Sequence, residues 1–448
     1  MEYDIIIIGA GPAGYVAAIR AGQLGMKTAL IEKQYMGGMC LNWGCIPTKS
    51  LIESARTLQT VKNAAKFGVQ GVQPETISLD WNVAKQRAMG IVNKLTLGVE
   101  WLVKKSGVDI IMGEATINGS GSVTVNNQHF TATRIIIATG SKPASAEIPV
   151  PAEKITDIEK LMAWEMIPST IAIVGKGAVA VELAQFFSMA GSKVSLLTTE
   201  GDFLPGIDEY LMTYLWKTLE KSGVKVYKEA VVTGYKDGFL LTKDEKIPCD
   251  VVLNASWRKG VIPPSGIPIE TSPEGYIVTD VEFETSIPGV FAIGDVNGRA
   301  YLAHVASAQG IWLINHFKGI RNTFDLNNYP YNIYTTPEIA QVGMTEQQLQ
   351  EAGIQFRVNE FPLSANGKAL TEGNAEGFIR MLSEDRYGQV MGVQIFANNA
   401  TDMIAEASAF MSIEGTVYDV AQTIHAHPTV SEIFMEAGFD AVDKAIHK

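Results

Sequence analysis

The opening of the chain leaves little freedom of fold. Asp4-Ile5-Ile6-Ile7-Ile8 is apolar at every position after the first, the pattern of a parallel strand buried on both faces. It runs into Gly9-Ala10-Gly11-Pro12-Ala13-Gly14, then an alanine-rich stretch that predicts a helix to about Leu24, then the strand Thr28-Ala29-Leu30-Ile31 and an acid, Glu32. Glycines let the backbone turn tightly and approach a pyrophosphate at the helix N-terminus, while the acid suits a ribose diol. A lone GxGxxG says little. With a strand before it, a helix after it and an acid about 20 residues on, it predicts a dinucleotide site rather than a turn kept only for packing.

The pattern returns. Thr170-Ile171-Ala172-Ile173-Val174 leads into Gly175-Lys176-Gly177-Ala178-Val179-Ala180, a helix to about Met189 and the strand Lys193 to Leu197. Alanine at the third glycine position is tolerated, but Thr198-Thr199 stand where the acid belongs, with Glu200 two residues late. No arginine occurs between Arg134 and Arg258, so the usual grip on a 2′-phosphate is missing too. A second nucleotide site that favours NAD over NADP is expected, the alternative being a Rossmann unit kept for architecture. Two further strand-like runs end in turns: Thr133 to Ile137 before Thr139-Gly140-Ser141, and Gly289 to Ile293 before Gly294-Asp295. From about Asn328 the pattern becomes amphipathic, with helix-like Thr345 to Ala352 and Thr401 to Ile413. The expected architecture is α/β, with two Rossmann-like dinucleotide-binding domains plus a C-terminal α+β domain. The expected boundaries are 1–145, 146–265, a return to the first domain over 266–328, and 329–448.

The length of 448 residues suits about three domains. Subtracting 48 acids from 36 bases gives −12, with no clustered basic run, which argues against a nucleic-acid partner. No apolar run approaches the roughly 18–20 residues of a membrane span, and Met1-Glu2-Tyr3-Asp4 lacks the basic start of a signal peptide. Three cysteines are too few for a secreted disulfide framework. A soluble cytoplasmic protein is expected.

Two of those cysteines lie in Cys40-Leu41-Asn42-Trp43-Gly44-Cys45-Ile46-Pro47-Thr48-Lys49. On a straight helix the rise of about 1.5 Å per residue separates them beyond the ~7 Å limit for a bridge, so bridging needs a bend, which Gly44 permits. The spacing is poor for zinc, and no other Cys/His pair completes four ligands, so no metal is expected. Beside a dinucleotide site the pair reads as a redox disulfide, the alternative being two unrelated buried thiols. Cys249 reads as a core thiol on a strand. The second cluster is His425-Ala426-His427-Pro428-Thr429-Val430-Ser431-Glu432. Thiol–disulfide exchange needs a base to make the thiolate, and a histidine oriented by a carboxylate provides one near neutral pH. His427 with Glu432 fits that task, with His425 a structural neighbour. Lys49 and Glu182 are expected to pair; the alternative is two solvated surface charges.

These motifs together resemble the class I pyridine nucleotide-disulfide oxidoreductases, in particular their dihydrolipoamide dehydrogenase branch. The resemblance runs in order along the chain through Gly9 to Gly14, Cys40 to Lys49, Thr139-Gly140, Gly175 to Glu182, Gly294-Asp295, Thr335-Thr336-Pro337-Glu338 and His427 to Glu432. No cysteine follows Cys249, unlike the mercuric reductases and larger thioredoxin reductases, and the glutathione reductases are a weaker match. The resemblance implies FAD with its pyrophosphate on Gly9, Gly11, Pro12, Ala13 and Gly14, its adenosine ribose on Glu32 and its ribityl chain near Asp295. It implies further FAD contacts from Lys33, Gly38, Lys49, Ala115, Thr139, Gly140, Ser141, Gly294, Leu302, Ala303 and His304. NAD would contact Gly175, Gly177, Ala178, Val179, Glu182 and Thr198. Cys45 would touch the flavin, Cys40 would exchange with a lipoyl dithiol, and His427 with Glu432 would come from the other subunit of an obligate homodimer. The implied partner is lipoamide or a lipoyl-bearing protein.

Four places depart from the family's wording: Thr198, the run Asn254-Ala255-Ser256-Trp257-Arg258-Lys259-Gly260 in place of Gly-Arg-x-Pro-Asn, Asn398-Asn399 in place of Pro-His, and Gln309 in place of a glutamate. All are assigned to the pyridine-nucleotide half. An atypical or weak NAD site, serving a specialised lipoyl partner, is the expectation they raise. A different disulfide substrate, or a redox sensor that does not turn over, are the competing readings.

Overall fold

The strand Glu2–Ile8 lies inside a seven-stranded sheet. It pairs in parallel with Thr28–Glu32 on one side and Gln128–Ile137 on the other, so that Ile6 sits between Ala29 and Ile135. The continuous apolar run has a direct cause: Ile5 and Ile7 enter one core cluster and Ile6 and Ile8 another, on opposite faces. Asp109–Met112 extends the sheet beyond Thr28–Glu32. Ala115–Gly119 and Ser122–Val125 continue it antiparallel beyond Gln128–Ile137, and Val290–Ala292, far along the chain, pairs in parallel with that same strand.

The computed structural model describes residues 2–143, 148–198, 203–256, 258–323 and 325–448. The expected edge at 145/146, Thr199, Glu200 and Trp257 therefore lie outside the described residues. The chain divides into two compact units, the first of Met1–Ser54, Leu79–Ile167 and Leu253–Leu326, the second of Ala55–Ser78, Pro168–Val252 and Asn327–Lys448.

In the first unit the helix Pro12–Gln23 beds closely on the sheet because its buried residues are Ala13, Gly14, Ala17, Ala18 and Ala21. A Cβ at Gly14 would stand 1.8 Å from the Gly9 carbonyl oxygen, and one at Gly310 of the helix Ala303–Phe317 would stand 2.7 Å from that of Ala13. Gly9 itself has φ +104 and no room for a side chain beneath Ala138. Strand, turn and two helices are thus stacked at backbone contact.

The second unit repeats the plan on a smaller scale. Thr170–Gly175, Lys193–Leu197 and Lys225–Tyr227 pair in parallel, and the helix Ala178–Met189 is buried from Ala180 to Phe187. The same unit holds an antiparallel sheet in the order Tyr331–Ile333, Glu338–Gly343, Val390–Ala397, Phe378–Glu384, Phe356–Pro362. The helices Ala400–Ser412, Val417–Gln422 and Glu432–Val442 share its core, through Ile379, Ile395, Ile404, Val420 and Phe434. This is the expected α/β plus α+β architecture. Two local expectations differ. Cys249 is buried, but in the turn between Lys246–Pro248 and Val251–Ala255 rather than on a strand. The strand expected over 289–293 stops at Ala292, because the chain turns at once into a 3₁₀ segment, Gly294–Asn297.

Gly14→Ala should destabilise the first unit by at least about 1–3 kcal/mol, because the methyl meets backbone that cannot swing away. Gly11→Ala, whose Cβ meets no protein atom within 4 Å, should leave stability unchanged. Chemical denaturation of the two variants without added nucleotide is the comparison.

Candidate active site

Cys40 and Cys45 are presented by a broken helix. Gly38–Asn42 carries Cys40, the chain departs from helix at Trp43, and Cys45–Lys62 begins with the second cysteine. The Asn42 amide donates to the carbonyls of Gly38 (2.7 Å) and Met36 (3.0 Å), and Gly44 N–H reaches Met39 O at 2.7 Å. Neither Cys40 nor Cys45 is in a disulfide in the structure. The Cys40 thiol donates to the Cys45 sulfur, and that bond, together with burial, pushes Cys40 far above an ordinary thiol, while Lys49 pulls the other way. Cys45 stands at the first position of a long helix, and its backbone N–H also bonds to the Cys40 sulfur. The geometry is that of two sulfurs within hydrogen-bond reach of each other. Tyr15 faces both sulfurs; burial first, then their charge, raises its hydroxyl.

The same unit holds the glycine turn whose sequence pattern predicts a dinucleotide site. Gly11 caps the helix Pro12–Gln23 with φ −71, an ordinary conformation, and a Cβ there would point into open space. Nothing in the protein requires glycine at this position, whereas a pyrophosphate against the helix N-terminus would. Glu32 closes its strand with Oε2 accepting Ala10 N–H (2.8 Å) and Oε1 accepting Gln34 N–H (2.7 Å), which aims the carboxylate over the turn. Thr48 Oγ1, one turn after Cys45, is buried without a hydrogen-bond partner among the described residues, as is Trp43 Nε1. The cysteine segment is tied to this turn: Gly37 N–H donates to Ala10 O at 2.9 Å, and a Cβ on Gly38 would stand 2.7 Å from Gly11 Cα. Lys33 points outward, 3.6 Å from Glu114.

At the other end, Thr139 Oγ1 donates to Val261 O at 2.5 Å, and Gly140 O accepts Val261 N–H at 2.9 Å. Ser141 Oγ donates to Asp295 Oδ2 at 2.6 Å and accepts Arg258 Nε–H at 2.7 Å, while Arg258 Nη2 reaches Ser141 O. Burial raises the Asp295 carboxyl, and Ser141 and Arg258 work against it. Arg258 is lowered by burial and supported first by Asp295, with Glu159 and Cys45 also facing it. Gly294 N–H donates to Gln309 Oε1 at 2.7 Å. Leu302 caps the helix that starts with Ala303 and His304, and Ala115 lies buried at the head of its strand.

These contacts correct one expectation. Arg258 and Gln309 do not alter the second nucleotide half; both sit in the first unit, around Asp295 and Gly294. Gln309 keeps the amide acceptor a glutamate would offer, without its charge.

In the second unit Gly177 has φ +137 with open space where a Cβ would be, and Ala178 and Val179 start the helix behind it. Thr198 is buried, and its hydroxyl accepts Glu229 N–H at 3.0 Å, so it is engaged with backbone. Glu182 is 2% exposed and accepts Tyr334 N–H at 3.1 Å, which removes the reading of it as a solvated surface charge. Lys49 belongs to the first unit.

His427 Nδ1 lies 2.9 Å from Glu432 Oε1, and Glu432 Oε2 accepts Thr429 N–H at 2.8 Å. Burial would raise Glu432; Thr429 and both histidines hold it below an ordinary carboxyl. The His427 side chain is 79% exposed, leaving Nε2 available. His425 is engaged differently, with Nε2 2.6 Å from Glu406 Oε1 and Nδ1 2.9 Å from Thr423 O. Sequence reasoning named neither Glu406 nor the role of Arg258. Nineteen residues separate Glu406 from His425, and no short motif joins them.

Residues 3–310 match the model of the pyridine nucleotide-disulphide oxidoreductases, and residues 329–438 match that family's dimerisation domain. The chain belongs to the pyridine nucleotide-disulphide oxidoreductase family. It is 38% identical to a dihydrolipoyl dehydrogenase of Thermus scotoductus, over 99% of this chain and 98% of that one. With a dihydrolipoyl dehydrogenase of Bacillus subtilis it shares 35% identity over 100% and 98%. The crystal structure of LpdA from Mycobacterium tuberculosis superposes with a TM-score of 0.89 at 23% identity, covering 97% of this chain and 99% of that one, which shows the fold.

Members of the pyridine nucleotide-disulphide oxidoreductase family that act as dihydrolipoyl dehydrogenases use FAD and NAD, and the bare Gly11 and the orphaned Thr48 hydroxyl fit the first of these. Among the described residues no group of three or more His, Cys, Asp or Glu is arranged to hold a metal ion, and no helix is long and apolar enough to cross a membrane.

Gly11→Val should cut the FAD retained on purification by about tenfold while sparing stability without nucleotide, because the added methyls occupy space that only the cofactor needs. A different outcome is expected at Arg258. Asp295 has a folded value above its unfolded one, so its favourable contribution exists below the unfolded value and is lost as pH rises through the folded one. Removing Arg258 raises that value further. Arg258→Met should therefore cost about 3 kcal/mol at pH 7 and clearly less near pH 4, read by denaturant titration at both.

Proposed function

We propose that this chain is an FAD- and NAD-dependent dihydrolipoyl dehydrogenase, a homodimer that oxidises the dithiol of lipoamide or of a lipoyl-bearing protein, and that it works in the cytoplasm. The observation that carries the reading is the pairing of Cys40 with Cys45 across the break between the helices Gly38–Asn42 and Cys45–Lys62. That is the arrangement a dithiol centre needs after accepting two electrons.

In the oxidised enzyme Cys40 and Cys45 form a disulfide. His427 Nε2 takes the proton of one dihydrolipoyl thiol, and Glu432 on Nδ1 holds the ring and stabilises the resulting imidazolium. The thiolate attacks Cys40 Sγ; the Cys40–Cys45 bond breaks, and Cys45 leaves as a thiolate favoured by its helix N-terminus. The second lipoyl thiol, giving its proton to solvent, attacks the lipoyl sulfur of the mixed disulfide, and the bond from that sulfur to Cys40 Sγ breaks. Lipoyl disulfide departs, and Cys40 leaves with a proton returned from His427. FAD, when bound, supplies the two-electron chemistry that links this dithiol to NAD.

The remaining residues hold and screen. Gly9 to Gly14 and Glu32 would seat the pyrophosphate and ribose, and Asp295, held by Ser141 and Arg258, the ribityl chain. Lys33, Gly38, Ala115, Thr139, Gly140, Gly294, Leu302, Ala303 and His304 would complete the FAD site. Lys49 and Glu182 would pair beside the flavin, and Gly175 to Val179 would receive NAD. His427, on the dimerisation domain, would serve the cysteines of its partner protomer.

The engaged Thr198 hydroxyl favours a refinement, in which NAD binds without the usual ribose carboxylate and therefore weakly. Thr198→Glu should tighten NADH binding by about tenfold, measured by flavin reduction on rapid mixing; ordinary micromolar saturation of the native enzyme would remove the refinement.

Cys40→Ser and Cys45→Ser should abolish NAD-linked oxidation of dihydrolipoamide while FAD stays bound. His427→Gln should slow it by about 10²–10⁴-fold. Full turnover by either cysteine variant would overturn the reading, and turnover on glutathione but not lipoamide would redirect it to another disulfide substrate.

A further inference from the structure

The histidine–carboxylate pairs His425–Glu406 and His427–Glu432 stand side by side, and the mechanism uses only the second. His427 leans on Glu432. His425, two residues earlier, places Nε2 2.6 Å from Glu406 Oε1 on the helix Ala400–Ser412, and Nδ1 2.9 Å from the carbonyl of Thr423, just past the helix Val417–Gln422. Its side chain is only 6% exposed, against 79% for His427, so protein rather than water decides its state.

Both partners of the His425 ring are acceptors. A carbonyl oxygen has no proton to give, and an ionised carboxylate has none either. With Glu406 ionised, each ring nitrogen donates, which only the imidazolium does. The 2.6 Å separation from Glu406 is the short contact expected of a charge-assisted bond. The groups facing His425 from the elements packed around it are Glu406 from Ala400–Ser412, the Thr423 carbonyl, and Glu432 at the head of Glu432–Val442. Glu432 in turn faces His427, His425 and the Thr429 amide. One carboxylate thus faces both a buried histidine and an exposed one.

We propose that His425 is a charged positioning residue, which draws on the field of Glu432 and so sets how readily the neighbouring His427 accepts a proton. The inference rests on the reading of His427 as the base. A carboxylate alone favours the protonated form of the ring it faces. A cation beside that carboxylate offsets this, and Glu406 holds the cation in place. The Glu432 bond to Nδ1 keeps its orienting role, because Thr429 holds its other oxygen.

The test is the pH dependence of the dithiol half-reaction in the FAD-loaded dimer, with dihydrolipoamide mixed rapidly against oxidised enzyme and reduction followed between about pH 5.5 and 9. His425→Gln keeps a donor for Glu406 but removes the charge. The midpoint should rise by about half a unit to one unit, slowing the reaction roughly three- to tenfold on the acid side. Glu406→Gln, which stops holding the proton on His425, should move it in the same direction by less. His425→Arg restores the cation and should bring the midpoint back toward that of the native enzyme.

A purely structural His425 would lower the rate at every pH without moving the midpoint. The inference is overturned if His425→Gln and Glu406→Gln both leave the midpoint in place, or if His425→Arg shifts it as far as His425→Gln does. Should His425→Gln fail to fold, Glu406→Gln and His425→Arg decide between these outcomes. His427→Gln separates the two levels: an unaltered profile in that variant would remove the base itself, whereas its loss together with an unmoved His425→Gln midpoint removes only the present proposal.

Discussion

Backbone touching backbone at Gly14 and Gly9 is the constraint on which the first unit is built. With a side chain at either position the helix Pro12–Gln23 could not lie where its N-terminus faces the end of the Glu2–Ile8 strand. Everything chemical in the unit is referred to that corner. Glu32 is aimed by an amide of the turn, the cysteine segment is bonded to it, and the helix Ala303–Phe317 closes on it through Gly310. Packing free energy in the two isoleucine-lined cores holds the corner together, while the absence of a few methyl groups gives it its shape.

Much of this was legible because it is periodic or local. A short β-branched apolar run with no alternation, closed by glycines, reads as a strand buried on both sides, and the two faces of Glu2–Ile8 do enter separate cores. The bend between the cysteines was readable from Gly44, and the reach of Glu432 to His427 from five residues and a proline. What escaped was long-range and polar. Arg258 meets Ser141 across 117 positions, and Gln309 meets Gly294 through a side chain whose neutral amide does what an acid would have done. Neither pairing leaves a pattern in the sequence, because one hydrogen bond at one position has no period. Assigning both residues to the second nucleotide half followed from their order along the chain, and the chain crosses back into the first unit before it reaches them.

The two halves of the molecule solve the same steric problem with different polar chemistry. At the end of Thr28–Glu32 an acid accepts two amides; at the end of Lys193–Leu197 a threonine accepts one, from Glu229, and is sealed from solvent. The frame of strand, glycine turn and helix is retained in both. The frame is fixed by packing, which tolerates few alternatives, whereas the group that greets a ribose is one side chain at a strand end and can change without disturbing the core.

The bond from Gly37 to Ala10 and the close seat of Gly38 on Gly11 join the sulfur-bearing loop to the glycine turn as a single mechanical part. A flavin seated on that turn and the sulfurs of that loop could not be tuned one at a time. Anyone refitting this scaffold to a different isoalloxazine would inherit an altered spacing of its sulfurs, and a lineage that drifted in one would be obliged to drift in the other.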